Sequence, residues 1–256
     1  MPTAVITGPT SGIGRGFADA FARKGFDLVL VARDTERLDT LAADLTKQYG
    51  VACEVLTADL SVRQDVDTVA DRISDPERPV SALVNNAGFG LYASFQRTTV
   101  DDEQRLLDVL VTAVLRLTHA AVPGMVERGH GMIVNVSSVA GFLPGGTYSA
   151  AKSWVTVFTE GLAQGLQGTG VRATVVCPGF VHTEFHQRAG MDMTSMPEWM
   201  WLDVPDVVSQ AMHDLALNRP VGIPGRQYQV LSSILRHGPR SLVRRAASAR
   251  QRQVRT

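Results

Sequence analysis

The sequence has few features of a secreted, metal-binding or membrane-spanning protein. Its two cysteines, Cys53 and Cys177, stand in separate apolar stretches, without a C-x-x-C pair or a histidine at metal-ligand spacing. They predict reduced core residues and no metal site. The N-terminus has no basic segment followed by a long apolar one, and no run approaches the ~18 apolar residues of a membrane span. We therefore expect neither secretion nor membrane insertion, and a cytoplasmic location.

The chain also lacks net charge, because 25 basic residues balance 25 acidic ones. The distribution is uneven, since residues 225–256 hold eight arginines and no acidic residue, which leaves the preceding part acidic. Such a tail could contact the acidic body of its own subunit, an anionic membrane or nucleic acid. The first interpretation is favoured, peripheral membrane contact is the second choice, and no aromatic stacking pattern or binding motif supports nucleic acid.

Short β-branched runs alternate with longer segments of helical periodicity. The runs are TAVIT, DLVLVA, ACEVLT, ALVNNAG, MIVNVSS and RATVVCPG, with a weaker seventh at RPVGIP. The alternation is typical of βαβ units, and strands that are apolar nearly throughout predict helices on both faces of a parallel sheet. We predict one α/β domain over residues 1–224, a Rossmann-type, doubly wound sheet of about seven parallel strands. Residues 225–256 are predicted to form a helical, arginine-rich tail.

A glycine-rich turn, TGPTSGIGRG, follows the first predicted strand. Gly8, Gly12 and Gly14 lie where strand gives way to helix, so backbone N–H groups and the helix N-terminus can approach a pyrophosphate. An ordinary tight turn is the alternative for the glycines alone, but their position after the first strand favours dinucleotide binding. The spacing G-x-x-x-G-x-G differs from the commoner G-x-G-x-x-G and indicates a narrower group of proteins.

The end of the second predicted strand bears on the choice of dinucleotide. Folds that prefer NAD usually place an acid there, whereas this strand ends with Arg33 ahead of Asp34. A guanidinium suits a 2′-phosphate by its charge and its forked donors, so NADP(H) is the preferred prediction. The alternative is an Arg33 that pairs with Asp34 or Glu36 on a solvated loop, and Asp34 keeps NAD(H) as the second choice.

Tyr148 and Lys152 stand four residues apart in a predicted helix, so they project from one face. A neighbouring ammonium favours phenolate and should lower the pKa of Tyr148, which would make its hydroxyl a usable proton donor and acceptor. Ser138 follows the fifth predicted strand, at the sheet edge where ligands bind, and could orient a substrate oxygen. Each residue alone is more simply interpreted as structural, but together with the glycine turn they predict catalysis.

These motifs, in order, resemble the short-chain dehydrogenase/reductase family over about residues 3–224. The matching motifs are Thr7-Gly8-x-x-x-Gly12-x-Gly14, Asp59-Leu60, Asn85-Asn86-Ala87-Gly88, Ser138, Tyr148-x-x-x-Lys152 and Pro178-Gly179-Phe180-Val181-His182-Thr183. The resemblance implies a seven-stranded doubly wound sheet and hydride transfer between a nicotinamide and a small-molecule alcohol or carbonyl. It also implies a homodimer or homotetramer.

The resemblance further implies a role for each matching residue. Tyr148 would be the general acid or base, Ser138 would position the substrate oxygen, and Lys152 would also bond the nicotinamide ribose. Asp59 would touch the adenine, and Val181 and Thr183 would hold the carboxamide. The full cofactor-binding prediction is Gly8, Thr10, Ser11, Gly12, Ile13, Gly14, Arg33, Asp59, Leu60, Asn86, Ala87, Gly88, Tyr148, Lys152, Pro178, Gly179, Val181 and Thr183.

Two departures from the family pattern stand out. The family commonly has an asparagine in its fourth helix, in a pattern like D-V-N-V-T, where it supports a water in a proton relay to the lysine. Here the chain has DVLVT, so Leu110 stands in place of that asparagine and its side chain cannot hold the water by a hydrogen bond. We therefore expect an active but slower enzyme. The interval from Ser138 to Tyr148 is about three residues shorter than usual, which requires a tight turn at Pro144-Gly145-Gly146.

Residues 184–203 are where the family keeps its substrate lid. They contain Met191, Met193, Met196, Trp199, Met200 and Trp201. Such side chains suit a bulky lipophilic substrate, although packing on the core or a partner subunit is an equal alternative. Three functions compete: an NADP(H)-dependent oxidoreductase that interconverts carbonyl and alcohol, a catalytically weak NADP-binding sensor or scaffold, and a peripheral membrane protein that uses the tail. The first is favoured because Ser138, Tyr148 and Lys152 are all present.

Overall fold

Seven parallel strands form the central sheet of the computed structural model, which describes residues 1–91, 93–190, 193–194 and 196–237. The strands are β1 Thr3–Thr7, β2 Asp27–Ala32, β3 Cys53–Thr57, β4 Val80–Asn85, β5 Gly131–Val136, β6 Val171–Val176 and, later in the chain, β9 Val221–Gly222. Their order across the sheet is β3-β2-β1-β4-β5-β6-β9. Two short strands, β7 Phe180–Val181 and β8 Trp201–Leu202, pair in parallel outside this sheet and are called the β7–β8 ribbon below.

Helices cover both faces of the sheet. They are α1 Gly12–Arg23, α2 Thr35–Tyr49, α3 Arg63–Ser74, α4 Val100–Leu107, α5 Ala113–Glu127, α6 Gly146–Gly165, α7 Phe185–Arg188, α8 Val204–Ala216 and α9 Arg226–His237. A π-helical turn, Asp108–Thr112, joins α4 to α5, and 3-10 turns occupy Val139–Phe142 and Glu198–Met200. The predicted doubly wound, seven-stranded parallel sheet is confirmed, including its weakest strand at Val221–Gly222.

Two separate apolar cores explain why the strands are hydrophobic on both sides. In β1, Ala4 and Ile6 pack under α1, α2 and α8, whereas Val5 packs under α3, α5 and α6. Successive strand residues point to opposite faces, so a strand covered on both sides has no polar face. The same alternation recurs in β2, where Leu28 and Leu30 face the first core and Val29 faces the second.

The helical stretch Val100–Glu127 is, among the described residues, long and apolar enough to cross a membrane by length and composition alone. Its apolar side chains are largely accounted for by the second core, in which Leu106, Leu117 and Met125 are fully buried. The stretch therefore has a packing explanation inside the fold.

The order of the strands fixes where a ligand can bind. Strands β1 to β3 proceed outward in one direction, and β4 to β6 proceed in the other, so the direction reverses between β1 and β4. Ligands of open parallel sheets bind at this reversal, beyond the carboxyl ends of the strands. The glycine turn after β1 and the segment 86–88 after β4 both lie there. Of the predicted lid and tail, Met191 and residues 238–256 lie outside the described residues.

Candidate active site

The structure brings Ser138, Tyr148 and Lys152 together beyond the carboxyl end of β5. Ser138 lies just beyond that strand, after Ser137, and the other two lie one turn apart on α6. The Ser138 hydroxyl donates a hydrogen bond to the Pro178 carbonyl at 3.4 Å, and it lies close enough to the Tyr148 hydroxyl to influence its pKa. The Lys152 Nζ atom lies 5.8 Å from the centroid of the Tyr148 ring. The three predicted catalytic side chains therefore form one cluster.

The segment between Ser138 and α6 is a short 3-10 turn packed against the helix. The Ser138 hydroxyl accepts a hydrogen bond from the Ala140 N–H at 3.1 Å and so begins this turn. Gly141 allows the turn to lie directly on α6, because an added Cβ would come within 2.9 Å of the Lys152 backbone. Gly146, with φ +81°, reverses the chain into the helix. These glycines accommodate the shortened interval.

The ionisation of Tyr148 differs from the sequence-based expectation. Burial raises the pKa of Tyr148 to about 12, and the neighbouring Ser138 hydroxyl opposes this only in part. The prediction that Lys152 lowers the pKa of Tyr148 was wrong, because the ammonium group instead donates a hydrogen bond to the Val136 carbonyl at 2.8 Å. Tyr148 is therefore a neutral phenol at physiological pH, which suits a proton donor.

Lys152 is 5% exposed and tightly held. Burial lowers its pKa to about 8, with a small opposing contribution from Cys177. Its backbone carbonyl accepts hydrogen bonds from the hydroxyls of Ser137 at 2.6 Å and Thr156 at 3.0 Å. An ammonium with this pKa gains and loses its proton near neutral pH, so it can exchange protons with a neighbouring group during turnover.

Leu110 forms part of the wall beside the lysine. It lies in the π-helical turn and is 1% exposed. A Cβ added to Gly88 would stand 2.8 Å from Leu110 Cδ2 and 3.8 Å from Lys152 Nζ, so the three residues adjoin one another. The leucine side chain can neither donate nor accept a hydrogen bond, and this side of the ammonium is therefore apolar.

A buried polar ladder under the site was not recognised in the sequence. The Asn85 amide donates to Asn135 Oδ1 at 2.8 Å and to Thr118 Oγ1 at 3.0 Å, and the Asn135 amide donates to Thr159 Oγ1 at 2.9 Å. These bonds join β4 and β5 to α5 and α6. Because buried amides need partners, the ladder fixes the register of the elements that carry the catalytic cluster. Two asparagines at strand ends were the available signal.

The glycine turn is bound to the loop after β4. Thr7 Oγ1 accepts hydrogen bonds from the backbone N–H groups of Asn86 and Ala87, each at 3.0 Å, and the Asn86 amide donates to the carbonyls of Thr7 and Gly8. A Cβ on Gly14 would stand 2.1 Å from the Gly8 carbonyl oxygen. Side-chain-free residues are therefore required here so that helix and strand can approach closely.

The residues predicted to hold the nicotinamide end of the cofactor lie next to the glycine turn and Ser138. A Cβ on Gly12, where φ is +55°, would lie 2.9 Å from Thr183 Cγ2. Val181 is buried in β7, and the Pro178 carbonyl accepts the Val139 N–H at 3.0 Å, next to Ser138. The motif beginning at Pro178 therefore connects the glycine turn to the catalytic cluster.

Not every predicted contact residue turns its side chain toward the site. The side chains of Ile13 and Leu60 pack into the two apolar cores, so only their backbone is available to a ligand. Ser11 is the N-cap residue of α1, although its side chain makes no capping bond, and the Thr10 carbonyl accepts from Arg37 Nη2 at 3.0 Å. The glycine turn thus presents mainly backbone groups, as pyrophosphate binding requires.

The end of β2 separates the roles of Arg33 and Asp34. The Arg33 side chain is 64% exposed, and its guanidinium lies 3.9 Å from Asp59, not beside Asp34 or Glu36. Asp34 instead caps α2 by accepting the Arg37 N–H at 3.1 Å. Its carboxylate is therefore engaged locally, while the guanidinium faces solvent.

Asp59 lies between two cations. One carboxylate oxygen accepts hydrogen bonds from the backbone and hydroxyl of Ser61, and the other faces Arg33 at 3.9 Å and Arg105 at 3.6 Å. Partial burial alone would raise the pKa of Asp59, but the Ser61 hydrogen bonds and the two guanidinium charges outweigh it and lower that pKa. Arg105 was not predicted from the sequence to be part of this site.

Arg37 was also missed. Besides its bond to the Thr10 carbonyl, its guanidinium lies 3.6 Å from Glu184 at the start of the predicted lid. It therefore links the glycine turn to the lid. The available signal was its spacing of four residues from Arg33 on a basic edge of the sheet.

Aromatic rings gather next to Tyr148 in the predicted lid. The Phe185 ring lies 6.1 Å from the Tyr148 ring, between centroids. Trp201 stacks on His182 at 4.7 Å and packs against Phe180 at 5.8 Å. In contrast, the Trp199 side chain is 67% exposed.

Comparison with known proteins is consistent with this arrangement. The family model described as short chain dehydrogenase matches residues 2–194. Sulfoacetaldehyde reductase 2 of Chromohalobacter salexigens is 41% identical over 186 residues, which are 71% of this chain and 73% of the relative. A short-chain dehydrogenase from Sphingobium yanoikuyae in complex with NADPH is 38% identical with a TM-score of 0.84, covering 91% of this chain and 93% of the other.

A second solved structure is the bulky-bulky ketone specific alcohol dehydrogenase from Comamonas testosteroni. It is 32% identical with a TM-score of 0.80 and covers 96% of both chains. The protein belongs to the short-chain dehydrogenase family. It is accordingly an oxidoreductase of alcohol or carbonyl substrates that uses a nicotinamide dinucleotide.

Proposed function

We propose that the protein is an NADP(H)-dependent reductase of bulky, lipophilic ketones or aldehydes. The preference for NADP(H) is supported by the different contacts of two neighbouring side chains after β2. The Arg33 guanidinium is solvent-exposed, whereas the Asp34 carboxylate caps α2. An exposed guanidinium binds a 2′-phosphate, whereas an engaged carboxylate is a poor acceptor for two ribose hydroxyls. Arg105, on the other side of Asp59, adds positive charge at the same edge.

The residues present fit a dinucleotide. Gly8, Gly12 and Gly14 leave the backbone bare at the start of α1, where phosphate oxygens are bound by N–H groups and the helix dipole. The nicotinamide supplies the hydride when it is bound. We assign to Val181 and Thr183 its positioning, and to Lys152 a hydrogen bond to its ribose.

The chemistry of the chain itself is a proton transfer. The neutral Tyr148 hydroxyl donates its proton to the carbonyl oxygen as negative charge develops there, while the Ser138 hydroxyl holds that oxygen in place. Lys152, with a pKa of about 8, restores the proton near neutral pH. A phenol that is protonated at pH 7 is in the form that the reduction needs as its acid.

The lining near Tyr148 supports a lipophilic substrate. Phe185 lies beside the tyrosine, and Gly90 packs against its ring, where an added Cβ would be in ordinary contact with Phe185 Cζ at 3.4 Å. Apolar and aromatic surfaces of this kind bind large hydrocarbon groups. The relative from Comamonas testosteroni is described as specific for bulky-bulky ketones, which agrees with this choice better than the small anionic aldehyde of sulfoacetaldehyde reductase 2.

The test is a turnover screen with NADPH and NADH over ketones and aldehydes graded by size. We expect the bulky ketones to be reduced with NADPH and Tyr148→Phe to be inactive. Arg33→Ala should raise the KM for NADPH by about 10- to 100-fold, the worth of a charged hydrogen bond, and leave the KM for NADH unchanged. Arg63→Ala is the matched control, because that side chain is 68% exposed and pairs with Asp67 on α3.

Three outcomes would overturn parts of the proposal. Equal KM values for NADPH in wild type and Arg33→Ala would refute the cofactor assignment, and activity in Tyr148→Phe would refute the acid. NADPH binding without turnover across the panel would favour the sensor or scaffold, for which the apolar wall at Leu110 is the supporting observation. Cytoplasmic location and a homodimer or homotetramer stay predictions.

A further inference from the structure

Helix α9 carries the largest fully buried side chain among the described residues, although it lies in the arginine-rich C-terminal segment. Tyr228 is 1% exposed. Its ring lies against Gly179, where an added Cβ would come within 1.9 Å of Tyr228 Cζ. The glycine of the Pro178-Gly179 motif is therefore matched to this ring, and any larger residue at 179 would displace it.

The Tyr228 hydroxyl joins two separate segments of backbone. It donates a hydrogen bond to the Met200 carbonyl at 2.5 Å and accepts one from the Phe180 N–H at 3.0 Å. Phe180 is the first residue of β7, and Met200 immediately precedes β8. The hydroxyl thus bridges the two strands at the beginning of the β7–β8 ribbon.

Both ends of the lid leave the protein body at this ribbon. The chain enters the lid after β7 and returns from it at β8, and each of these strands contains only two residues. One further backbone bond, from His182 N–H to the Leu202 carbonyl at 3.0 Å, continues the pairing. Because a ribbon this short has few bonds of its own, the two made by Tyr228 are a large part of what fixes it.

The same strand orients the groups assigned to the cofactor and substrate. Val181 follows Phe180, and Thr183 comes two residues after Val181. The rings of Phe180 and Trp201 pack across the ribbon at 5.8 Å. A shift of β7 relative to β8 would therefore move the nicotinamide end of the site and the aromatic lining together.

We propose that Tyr228 is a positioning residue that fixes the two ends of the substrate lid through its hydroxyl group. This rests on the proposed function only for the identity of the substrate. The C-terminal helix α9 is, on this proposal, a working part of the active site. Loss of the hydroxyl loosens the lid and weakens binding of bulky substrates, while the ring keeps the fold intact.

The test compares Tyr228→Phe with Tyr49→Phe, a matched control that removes the hydroxyl of a half-buried tyrosine at the C-terminal end of α2. Tyr228→Phe keeps the ring over Gly179. We expect its KM for a bulky ketone to rise by about five- to tenfold with kcat changed less, since a lost hydrogen bond has this worth. A small aldehyde, which needs less of the lid, should show the smaller change, and Tyr49→Phe should match wild type.

A second readout needs no substrate. Arg188 lies in α7 inside the lid with its side chain 52% exposed, so trypsin can cut after it when the lid opens. Cleavage at Arg188, followed by mass spectrometry, should be faster in Tyr228→Phe than in wild type and Tyr49→Phe. Faster cleavage with no turnover by any variant would support the lid role and count against the proposed substrate. Unchanged cleavage and unchanged KM, with only a lower melting temperature, would overturn the positioning role.

Discussion

Replacing Lys152 by methionine should abolish activity and yet stabilise the fold at neutral pH. The ammonium is 5% exposed, and burial lowers its pKa from 10.5 to about 8. At about 1.4 kcal/mol for each pH unit, this drop corresponds to roughly 3 kcal/mol of destabilisation. Methionine has a similar length and no charge, but it leaves the Val136 carbonyl without its donor, which costs about 1 kcal/mol. The net gain at pH 7 is therefore about 2 kcal/mol.

The pH dependence gives the prediction its sign. The folded-state pKa of Lys152 lies below the unfolded one, so the unfolded chain binds more protons between about pH 8 and 10.5, and wild-type stability rises across that window. Below pH 8 the lysine is charged in both states and the full penalty applies. Urea denaturation should therefore show a stability advantage of Lys152→Met at pH 7 that narrows by roughly 2 kcal/mol by pH 10.

The matched control is Lys47→Met, at an exposed position on α2, which should show no such pH-dependent difference. A Lys152→Met protein that is less stable than wild type at pH 7, or an advantage that stays constant with pH, would refute the reasoning. Such a result would mean that the buried ammonium is stabilised by its surroundings as well as it is by water.

Three further predictions concern the same site. The kcat for ketone reduction should stay level up to about pH 8 and fall above it as Lys152 loses its proton. Tyr148, with a pKa of about 12, stays protonated over this range and does not contribute to the fall. A decline in kcat that begins below pH 7 would contradict this assignment. Leu110→Asn should raise turnover and lower the melting temperature, since a polar group enters the apolar wall. Leu110→Ala is its control. Unchanged turnover in Leu110→Asn would show that the absence of an asparagine side chain at this position is irrelevant. Gly14→Ala should weaken NADPH binding, measured by fluorescence, at least about tenfold, because its Cβ would meet the Gly8 carbonyl at 2.1 Å. The control is Gly161→Ala, which has open space on α6 and should stabilise the fold by about 1 kcal/mol. Equal NADPH affinities in the two variants would refute the argument that Gly8 and Gly14 must approach closely.

The fold was predictable from the sequence because each strand is buried on both faces and therefore apolar throughout. Even the two-residue strand β9 was signalled by RPVGIP, although its length was not. The catalytic cluster was predictable for a related reason. Ser138 lies just beyond the end of β5, and Tyr148 and Lys152 share a helical face, so a parallel sheet brings them to the same edge.

Properties that depend on the surroundings of a side chain were not predictable. The pKa of Tyr148 moved opposite to the prediction because burial exceeds the influence of a lysine whose ammonium is bonded elsewhere. Tyr228 and Gly179 are 49 residues apart in the sequence, and no local periodicity predicts that they are in contact. Long-range packing of this kind appears only when the chain is folded.

Helix α9 also connects two separate parts of the candidate active site. It begins beside the lid at Tyr228, and near its other end the Arg236 guanidinium lies over the Phe142 ring at 4.5 Å, in the turn that follows Ser138. A 12-residue helix is about 18 Å long, so one rigid element contacts the β7–β8 ribbon near one end and the turn after Ser138 near the other. A substitution that breaks α9 between these two contacts would therefore disturb the β7–β8 ribbon and the turn after Ser138 together.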